Sequence, residues 1–226
     1  PLITGTLWVS LFAILFALPF GLSVSIYMSE VANPKVRNWL KPIIELLSGI
    51  PSVVYGFFGL IVIVPWIQKL FNLPVGESGL AGSIVLAIMA LPTIITVTED
   101  AMRNCPRAMR EASLALGASQ WQTIYKVVIP YSISGITSGV VLGIGRAIGE
   151  TMAVLMVTGN AAVIPTTILE PLRTIPATIA AELGEAPAGG PHYQALFLLG
   201  VVLFFITLII NFSVEYISSK GLKRSK

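Results

Sequence analysis

Five long apolar runs constrain this chain more than any other feature of its sequence. Each is close to the length of about 20 residues that an α-helix needs to cross the hydrocarbon core of a bilayer. The runs lie within residues 2–29, 46–68, 78–98, 131–157 and 195–214. Only 11% of the residues are charged, against about 25% in an average soluble domain. The sequence therefore predicts an all-α membrane protein with five spans.

The basic residues predict how these spans are oriented. Eleven of the 14 Lys and Arg residues follow the first, third or fifth run, two follow the second or fourth, and Arg146 lies inside the fourth. Loops rich in Lys and Arg stay on the cytoplasmic side of the cell membrane. We therefore expect residues 99–130 and the C-terminus to be cytoplasmic and Pro1 to be outside. This bias also accounts for the net charge of +3, so no nucleic-acid partner is expected.

Residues 99–130 form the longest polar stretch between apolar runs. Asn104 or Cys105 can cap a first short helix, with Pro106 at or near the first helical position, where a missing N–H is harmless. Gly117 can end that helix in the left-handed conformation.

A second short helix is predicted directly afterwards. Ser119 and Gln122 have the spacing of a capping box, and the helix they begin carries Trp121 and Lys126. Pro130 is predicted to open the next span. Two capped helices joined at a tight corner suit a rigid docking surface.

The fourth run contains two charges, Arg146 and Glu150. A charge inside a membrane helix is unfavourable by about 2.5–3.5 kcal/mol on insertion scales. The two residues are four apart, so on one helix they share a face and can pair. Gly135, Gly139 and Gly143 repeat at the same interval, which lets a neighbouring backbone approach. We expect this face to pack against protein rather than lipid.

Two readings of the charged pair stay open. In the first, Arg146 and Glu150 form a structural ion pair that fixes the position of the helix. In the second, Arg146 presents its planar guanidinium to a passing oxyanion while Glu150 orients it or competes for it.

Two further segments interrupt the apolar pattern. Pro51 removes a helix bond in residues 48–52, which predicts either a packing kink or a segment that lines a path. Residues 158–194 form a long outer loop, in which we expect a short helix over residues 177–185 and a surface for an external partner or a cover over the path. Glu182 and Glu185 are predicted to be exposed there.

The sequence lacks the motifs of a catalytic chain. It has no G-x-x-x-x-G-K-[ST] phosphate loop, no nucleophile–base–acid constellation and no zinc motif, and its one histidine, His192, has no second ligand nearby. We expect no catalytic or metal-binding residue, no cofactor in this chain and no ATPase site of its own.

The polar segment resembles the EAA signature of ABC importer permeases, E-A-A-x3-G-x9-I-x-L-P. The matching positions, some with conservative departures, are Glu111, Ala112, Ser113, Gly117, Val127, Ile129 and Pro130. Further stretches resemble the PstC-type permeases of phosphate importers, within the family of binding-protein-dependent transport system inner membrane components. They are residues 48–56, 90–93, 145–153 and 179–186.

This resemblance implies a type I, MetI-like ABC permease fold. Residues 1–226 would form one permease domain, with a cytoplasmic coupling segment at 99–130, an extracytoplasmic loop at 158–194 and a further N-terminal span before Pro1. The residues expected to couple to the ATPase are Glu111, Ala112, Gly117, Trp121 and Pro130. Those expected along the substrate path are Ser52, Arg146, Glu150 and Thr151.

The resemblance also implies partners. These are a PstA-type permease, two PstB-type ATPase subunits that hold ATP and Mg²⁺, and an extracytoplasmic PstS-type phosphate-binding protein. The alternatives are a permease of the same fold for sulfate, molybdate or tungstate, or the PstA-type partner permease itself. Two other classes are disfavoured. An ungated channel would not need a capped docking unit. A membrane enzyme with Glu150 as base would need a second catalytic group near Glu150, which the fourth span lacks.

Overall fold

A computed structural model describes the backbone of residues 1–224 and the side chains of residues 1–216. In this part of the chain the backbone is organised as eleven α-helices and three π-helical turns. The α-helices are α1 (Leu2–Ile26), α2 (Pro34–Ser48), α3 (Ser52–Phe58), α4 (Val64–Phe71), α5 (Gly79–Arg103), α6 (Arg107–Ala115), α7 (Gln120–Thr123), α8 (Ile129–Gly149), α9 (Met152–Val157), α10 (Ile175–Glu182) and α11 (Pro191–Arg224). The π-helical turns are Tyr27–Val31, Gly59–Ile63 and Ile124–Val128.

Five helical stretches in the described residues are long and apolar enough to cross a membrane, as predicted. They are Leu2–Val31, Ser52–Phe71, Gly79–Arg103, Gln120–Gly149 and Pro191–Tyr216. The side chains of the basic tail, and the predicted cytoplasmic C-terminus at Lys226, lie outside the described residues.

The second span begins later than predicted, because α2 precedes it. Residues 46–48 belong to α2, and the break at residues 48–52 separates α2 from α3 instead of kinking one span. Pro51 has an extended backbone (φ −58°, ψ 140°) and sits at the N-cap of α3. A proline cannot continue the hydrogen-bond ladder of the preceding helix, which accounts for the separation at this point.

The predicted limits of the fourth span are wrong at both ends. Pro130 does not open the span, since α7, a π-helical turn and α8 follow one another without interruption from Gln120 to Gly149. Pro130 has no N–H for an α-helical bond, and the turn just before it is π-helical, with the Ile129 N–H donating to the Ile124 carbonyl. At the other end the helix stops at Gly149. Glu150 therefore does not share a helical face with Arg146.

The chain divides into two compact units. The first contains Pro1–Ala17, Gly49–Ala90 and Ile144–Ile209, and the second contains Leu18–Ser48, Leu91–Gly143 and the chain from Ile210 on. The core of the first unit includes the buried residues Val9, Ala13, Ile67, Val85, Met89, Val157 and Leu172. The second unit has one cluster around Met102, Cys105, Val128 and Ile136, and another around Met28, Ile44 and Ile95.

Close packing of α8 on α5 organises the second unit. A Cβ atom added to Gly135 would lie 2.3 Å from the Ala101 Cβ, and one added to Gly139 would lie 2.9 Å from the Thr98 Oγ1. Small residues at this spacing let two helix backbones approach closely. The prediction that the glycine face packs against protein is confirmed.

Candidate functional site: the coupling segment and the charged end of the fourth span

The coupling segment, residues 99–130, is built as two short helices around a sharp corner. Its first helix, α6, ends as predicted, because Gly117 has φ +84°, a conformation that strains any residue with a Cβ. Pro106 lies next to the first helical residue, Arg107, as predicted, but the predicted cap by Asn104 or Cys105 is wrong. Pro106 occupies the N-cap position with an extended backbone, and no side chain caps the helix there. Proline has no side-chain oxygen that could accept a hydrogen bond from the first N–H groups of the helix, so a proline at this position leaves them without a side-chain cap.

The second helix is capped as predicted. The Ser119 Oγ accepts a hydrogen bond from the Gln122 N–H at 3.3 Å, and the Gln122 Oε1 accepts one from the Ser119 N–H at 2.8 Å. A hydrogen bond of 3.0 Å between the Ser113 and Thr123 hydroxyls joins the two helices. These contacts hold the corner in one geometry.

An apolar surface surrounds this corner. Leu116 is 90% exposed and Trp121 is 58% exposed. Other exposed apolar residues on the two helices and the following π-helical turn are Met109, Leu114 and Tyr125. Large apolar side chains that are exposed together, rather than singly, mark interaction sites.

The structure places most of the predicted coupling residues on this surface. Glu111, Ala112, Gly117 and Trp121 are all exposed, whereas Pro130 is half-buried inside the continuous helix. Four of the five residues are thus accessible to a partner. Their role in coupling stays a prediction.

Arg110 of α6 anchors the coupling segment from its inner side. Its Nη1 donates to the Cys105 carbonyl at 3.0 Å and its Nη2 to the Met102 carbonyl at 2.9 Å, which satisfies carbonyls around the C-terminal end of α5. The same Nη2 donates to the Glu30 Oε1 at 2.7 Å. Burial raises the pKa of the adjacent Cys105 thiol, an effect that the Arg110 charge opposes.

A second ionic cluster joins α2 to the end of α5. The Glu99 side chain is 1% exposed and lies 2.7 Å from the Lys41 Nζ and 3.6 Å from both the Arg37 Nε and the Arg103 Nη1. Lys41 also pairs with Asp100. Burial lowers the pKa of Lys41, but its hydrogen bonds to Asp100 and Glu99 outweigh that effect and leave the pKa raised.

Three of the predicted substrate-path residues, Arg146, Glu150 and Thr151, lie at or next to the break after α8. Arg146 is half-buried in the last turn of α8, and Ser52 is the first residue of α3. The Glu150 Oε1 accepts a hydrogen bond of 3.3 Å from the Ala153 N–H and so supports the start of α9. The Thr151 hydroxyl donates to the Gly149 carbonyl at 3.3 Å.

Thr151 and Glu150 line different spaces. Thr151 lies in an open cavity of about 510 Å³, together with Gly149 and residues of α10 and α11. Glu150 lines a small crevice that also contains the hydroxyl-bearing residues Thr6, Ser10 and Thr174. The role of the four predicted path residues stays a prediction.

The outer loop is held by Glu182. Its two carboxylate oxygens lie 2.7 Å from the Arg173 Nη1 and 3.2 Å from the His192 Nε2, so the prediction that Glu182 is simply exposed is wrong. The helix of this loop, α10, begins and ends earlier than predicted, with Thr174 as its side-chain cap. Glu185 is exposed, as predicted.

Sequence reasoning missed the inner contacts of the coupling segment. Glu30 and Arg110 are 80 residues apart, and Lys41 and Glu99 are 58 residues apart, so no local pattern links them. Glu99 did carry a signal, since it stands next to the third apolar run, where an acidic residue needs a buried partner.

Comparison with known proteins places the whole chain among transport permeases. Residues 17–221 match the family described as binding-protein-dependent transport system inner membrane component. The probable ABC transporter permease protein YqgH of Bacillus subtilis is 41% identical over 97% of this chain and 71% of that protein. The phosphate transport system permease protein PstC of Mesorhizobium japonicum is 38% identical over 95% of this chain and 71% of its own length.

Solved structures share the fold at low sequence identity. A chain of the MetNI methionine ABC transporter in an inward-facing conformation is 18% identical with a TM-score of 0.69, over 98% of this chain and 93% of that one. A chain of a bacterial ABC transporter involved in the import of alginate is 17% identical with a TM-score of 0.68, over 96% and 77% of the two chains. The predicted MetI-like permease fold is confirmed.

Proposed function

This chain belongs to the family of binding-protein-dependent transport system inner membrane components, and on that premise we propose that it is a permease subunit of an ATP-driven phosphate importer. One observation supports phosphate as the substrate. Relatives named phosphate transport system permease protein PstC, from Mesorhizobium japonicum and Mycobacterium tuberculosis among others, are 38% and 35% identical over 95% and 99% of this chain. In this proposal the chain forms half of the translocation path.

The proposed complex contains the parts that such a permease needs. An ABC importer permease works with an ATPase and a binding protein. For this chain we propose a PstA-type second permease, two PstB-type ATPase subunits and an extracytoplasmic PstS-type phosphate-binding protein. ATP and Mg²⁺ would bind the ATPase subunits alone. The chain would be a multi-pass inner-membrane protein, with residues 99–130 and the C-terminus in the cytoplasm, as its basic loops favour.

The exposed corner of the coupling segment is the proposed docking surface for the ATPase. Leu116 and Trp121 project apolar surface from the corner, and Glu111 adds a charge nearby. Aromatic and aliphatic anchors of this kind contribute most of the binding energy when they enter a pocket of a partner. α7 runs without interruption into α8, so a displacement of the corner would move the fourth span directly.

Arg146 is the proposed contact for the transported anion. A guanidinium presents two parallel donors to a phosphate, sulfate or molybdate oxygen pair, so the residue suits this class of substrate without choosing among its members. Selection of phosphate over sulfate, molybdate or tungstate would then belong mainly to the binding protein. The structural reading of Arg146 remains the competing hypothesis, and the PstA-type position within the complex is the alternative for the chain as a whole.

The test is transport by the reconstituted complex in proteoliposomes. With the phosphate-binding protein outside and ATP inside, we expect uptake of labelled phosphate and a phosphate-dependent rise in ATP hydrolysis, with sulfate and molybdate as comparisons. Import of sulfate or molybdate in place of phosphate would contradict the proposed substrate.

Variants separate coupling from substrate contact. Gly117→Pro replaces a residue at φ +84° with one fixed near −65°, and Glu111→Arg reverses an exposed charge, so both should uncouple transport while the chain still inserts. Arg146→Ala should abolish uptake with assembly retained, and Arg146→Lys should retain part of it, since a lysine cannot make the bidentate contact. Loss of assembly in Arg146→Ala would support the structural reading instead.

A further inference from the structure

We propose that Arg110 and Glu30, with Gln120, form a tie that makes the end of the first span move with the coupling segment. This inference rests on the proposed function, because it assigns the three residues to the transmission of ATPase movement. Arg110 is a positioning residue in this scheme, since its side chain faces inward and bonds to the chain's own groups.

The need for such a tie follows from the chain's connectivity. The coupling segment continues by backbone into the fourth span at one end, and it follows the third span closely at the other. The first span ends at Val31, about 75 residues earlier in the sequence than α6. Only noncovalent contacts can make it follow the coupling segment, and the contacts at its end are the ones that reach the helices of that segment.

Arg110 makes the first of these contacts. Its Nη2 donates to the Glu30 Oε1 at 2.7 Å, while the same guanidinium holds the Met102 and Cys105 carbonyls at the end of α5. One planar group thereby joins α6, the end of the third span and the end of the first. A hydrogen bond of 2.7 Å between two charged groups belongs to the strong class.

Gln120 makes the second contact to the same residue. Its Nε2 donates to the backbone carbonyl of Glu30 at 2.9 Å, from the first position of α7. Both helices of the coupling segment are therefore attached to Glu30, one through the side chain and one through the backbone. Two attachments from different helices resist rotation as well as separation, which a single ion pair does not.

The surroundings of Glu30 make the tie persistent. Its side chain is 9% exposed, against 22% for Arg110, and it also accepts a hydrogen bond from the Ser29 hydroxyl at 2.7 Å. Separating the pair would leave a nearly buried carboxylate without its cation, which is strongly unfavourable. Glu30 also lies in the π-helical turn Tyr27–Val31, which ends the span. A force on Glu30 therefore acts at the very end of the first span.

Glu30→Gln is the sharpest perturbation of this tie. The amide has the same size, removes the charge attraction, and leaves the bonds of Arg110 to the Met102 and Cys105 carbonyls in place. Arg110→Gln removes all three bonds, and Arg110→Lys keeps the charge without the fork that reaches three acceptors. Glu45→Gln is the matched control, because Glu45 is an exposed glutamate of α2 in the same unit.

The first measurement is the number of anions imported per ATP hydrolysed by the reconstituted complex. We expect Glu30→Gln and Arg110→Gln to lower this ratio about tenfold, with the yield of assembled complex unchanged. Arg110→Lys should fall between these variants and the wild type, and Glu45→Gln should match the wild type. An unchanged ratio in Glu30→Gln would overturn the proposal. A loss of assembled complex that accounts for the whole fall would also overturn it, because the pair would then be only structural.

A second measurement reports movement without depending on the substrate. Tyr27→Cys, in a Cys105→Ala background, places a thiol at an exposed position in the last turn of the first span. Its rate of labelling by a water-soluble maleimide is compared with and without vanadate trapping of the ATPase. We expect trapping to change the rate in the otherwise wild-type complex and to change it much less after Glu30→Gln, which leaves only the bond from Gln120 to the backbone carbonyl.

The two measurements separate the tie from the proposed function. Labelled phosphate and labelled sulfate are both offered, and the number of anions imported per ATP is measured with the anion that the wild type imports. A wild type that does not import phosphate would contradict the proposed substrate. The comparison of the variants with the wild type would still test the tie. A labelling rate that trapping never changes, or that trapping changes equally after Glu30→Gln, would refute the tie even if phosphate import is normal.

Discussion

Replacing Glu99 by Gln tests how strongly α2 is held to the end of α5. The Glu99 carboxylate is 1% exposed and lies among Lys41, Arg37 and Arg103, at 2.7, 3.6 and 3.6 Å. The amide keeps the size of the side chain and can still accept a hydrogen bond from Lys41, but it leaves three cations around a neutral group. The neighbouring Asp100→Asn makes the same chemical change at a site that is 52% exposed and shares the same lysine.

The distances set the size of the expected effect. With an effective dielectric constant of about 20, the attraction between Glu99 and Lys41 is about 6 kcal/mol, and that to each arginine is about 5 kcal/mol, before desolvation is subtracted. Removing one partner from a buried ion pair typically destabilises a protein by about 3–5 kcal/mol. Lys41 retains Asp100 as a partner, and Arg103 is 41% exposed. We therefore expect Glu99→Gln to lower the free energy of unfolding by about 2–4 kcal/mol. Asp100→Asn should cost about 0–1 kcal/mol, as exposed pairs do.

Thermal unfolding of the purified chain in detergent measures the difference. In a chain of this size 1 kcal/mol shifts Tm by about 2–4 °C, so a loss of about 3 kcal/mol lowers Tm by about 6–12 °C. We expect Glu99→Gln to show such a shift and Asp100→Asn to stay within about 4 °C of the wild type. If both variants shift Tm equally, burial does not decide the strength of this cluster and the reasoning is refuted.

Three further outcomes can be checked in the same preparation. Gly135→Ala places a Cβ against the Ala101 Cβ and should destabilise the fold by about 1–3 kcal/mol. The added Cβ of Gly145→Ala meets nothing within 4 Å, so this variant should be neutral or slightly stabilising in the same melting assay. Because burial raises the pKa of the Cys105 thiol, we expect maleimide to label the native chain at least about tenfold more slowly than the unfolded one; equal rates would contradict this. The folded pKa of Lys41 is raised from 10.5, so its ion pairs stabilise the fold below pH 10.5 and are lost as the pH rises through the folded pKa. The Tm should therefore fall over that pH range. It should fall less in a variant that lacks Glu99 or Asp100, the acidic partners of Lys41.

Local chemistry explains why much of the architecture could be predicted. Membrane spans follow from the length and continuity of apolar runs, and Gly117 and the Ser119–Gln122 box act through their own neighbouring backbone. The helix–turn–helix corner was therefore readable from adjacent residues. The same holds for the glycine face of α8, since spacing alone puts Gly135 and Gly139 on one side of a helix.

The missed features depend on partners that are distant in sequence or on irregular helix geometry. α2 reads as a charged loop with Pro42 inside it, whereas the structure shows a helix whose buried Ile44 belongs to one cluster with Met28 and Ile95. The fourth span extends through Pro130 because a π-helical turn precedes it, a variation for which hydrophobic periodicity gives no signal. Contacts such as Arg110–Glu30 arise only once the helices have packed.

The break at the end of α8 changes the balance between the two readings of Arg146 and Glu150. The structural reading relied on two charges placed four residues apart on one continuous helix, and that helix ends at Gly149. Within a bilayer, a broken helix is tolerated where its free backbone groups find polar partners. Glu150 supplies one by accepting from the Ala153 N–H, and Thr151 supplies another by donating to the Gly149 carbonyl. Glu150 thus has a structural role, at the start of α9, that does not involve Arg146. On the proposed path, Arg146 would contact the anion without Glu150 as its obligatory partner.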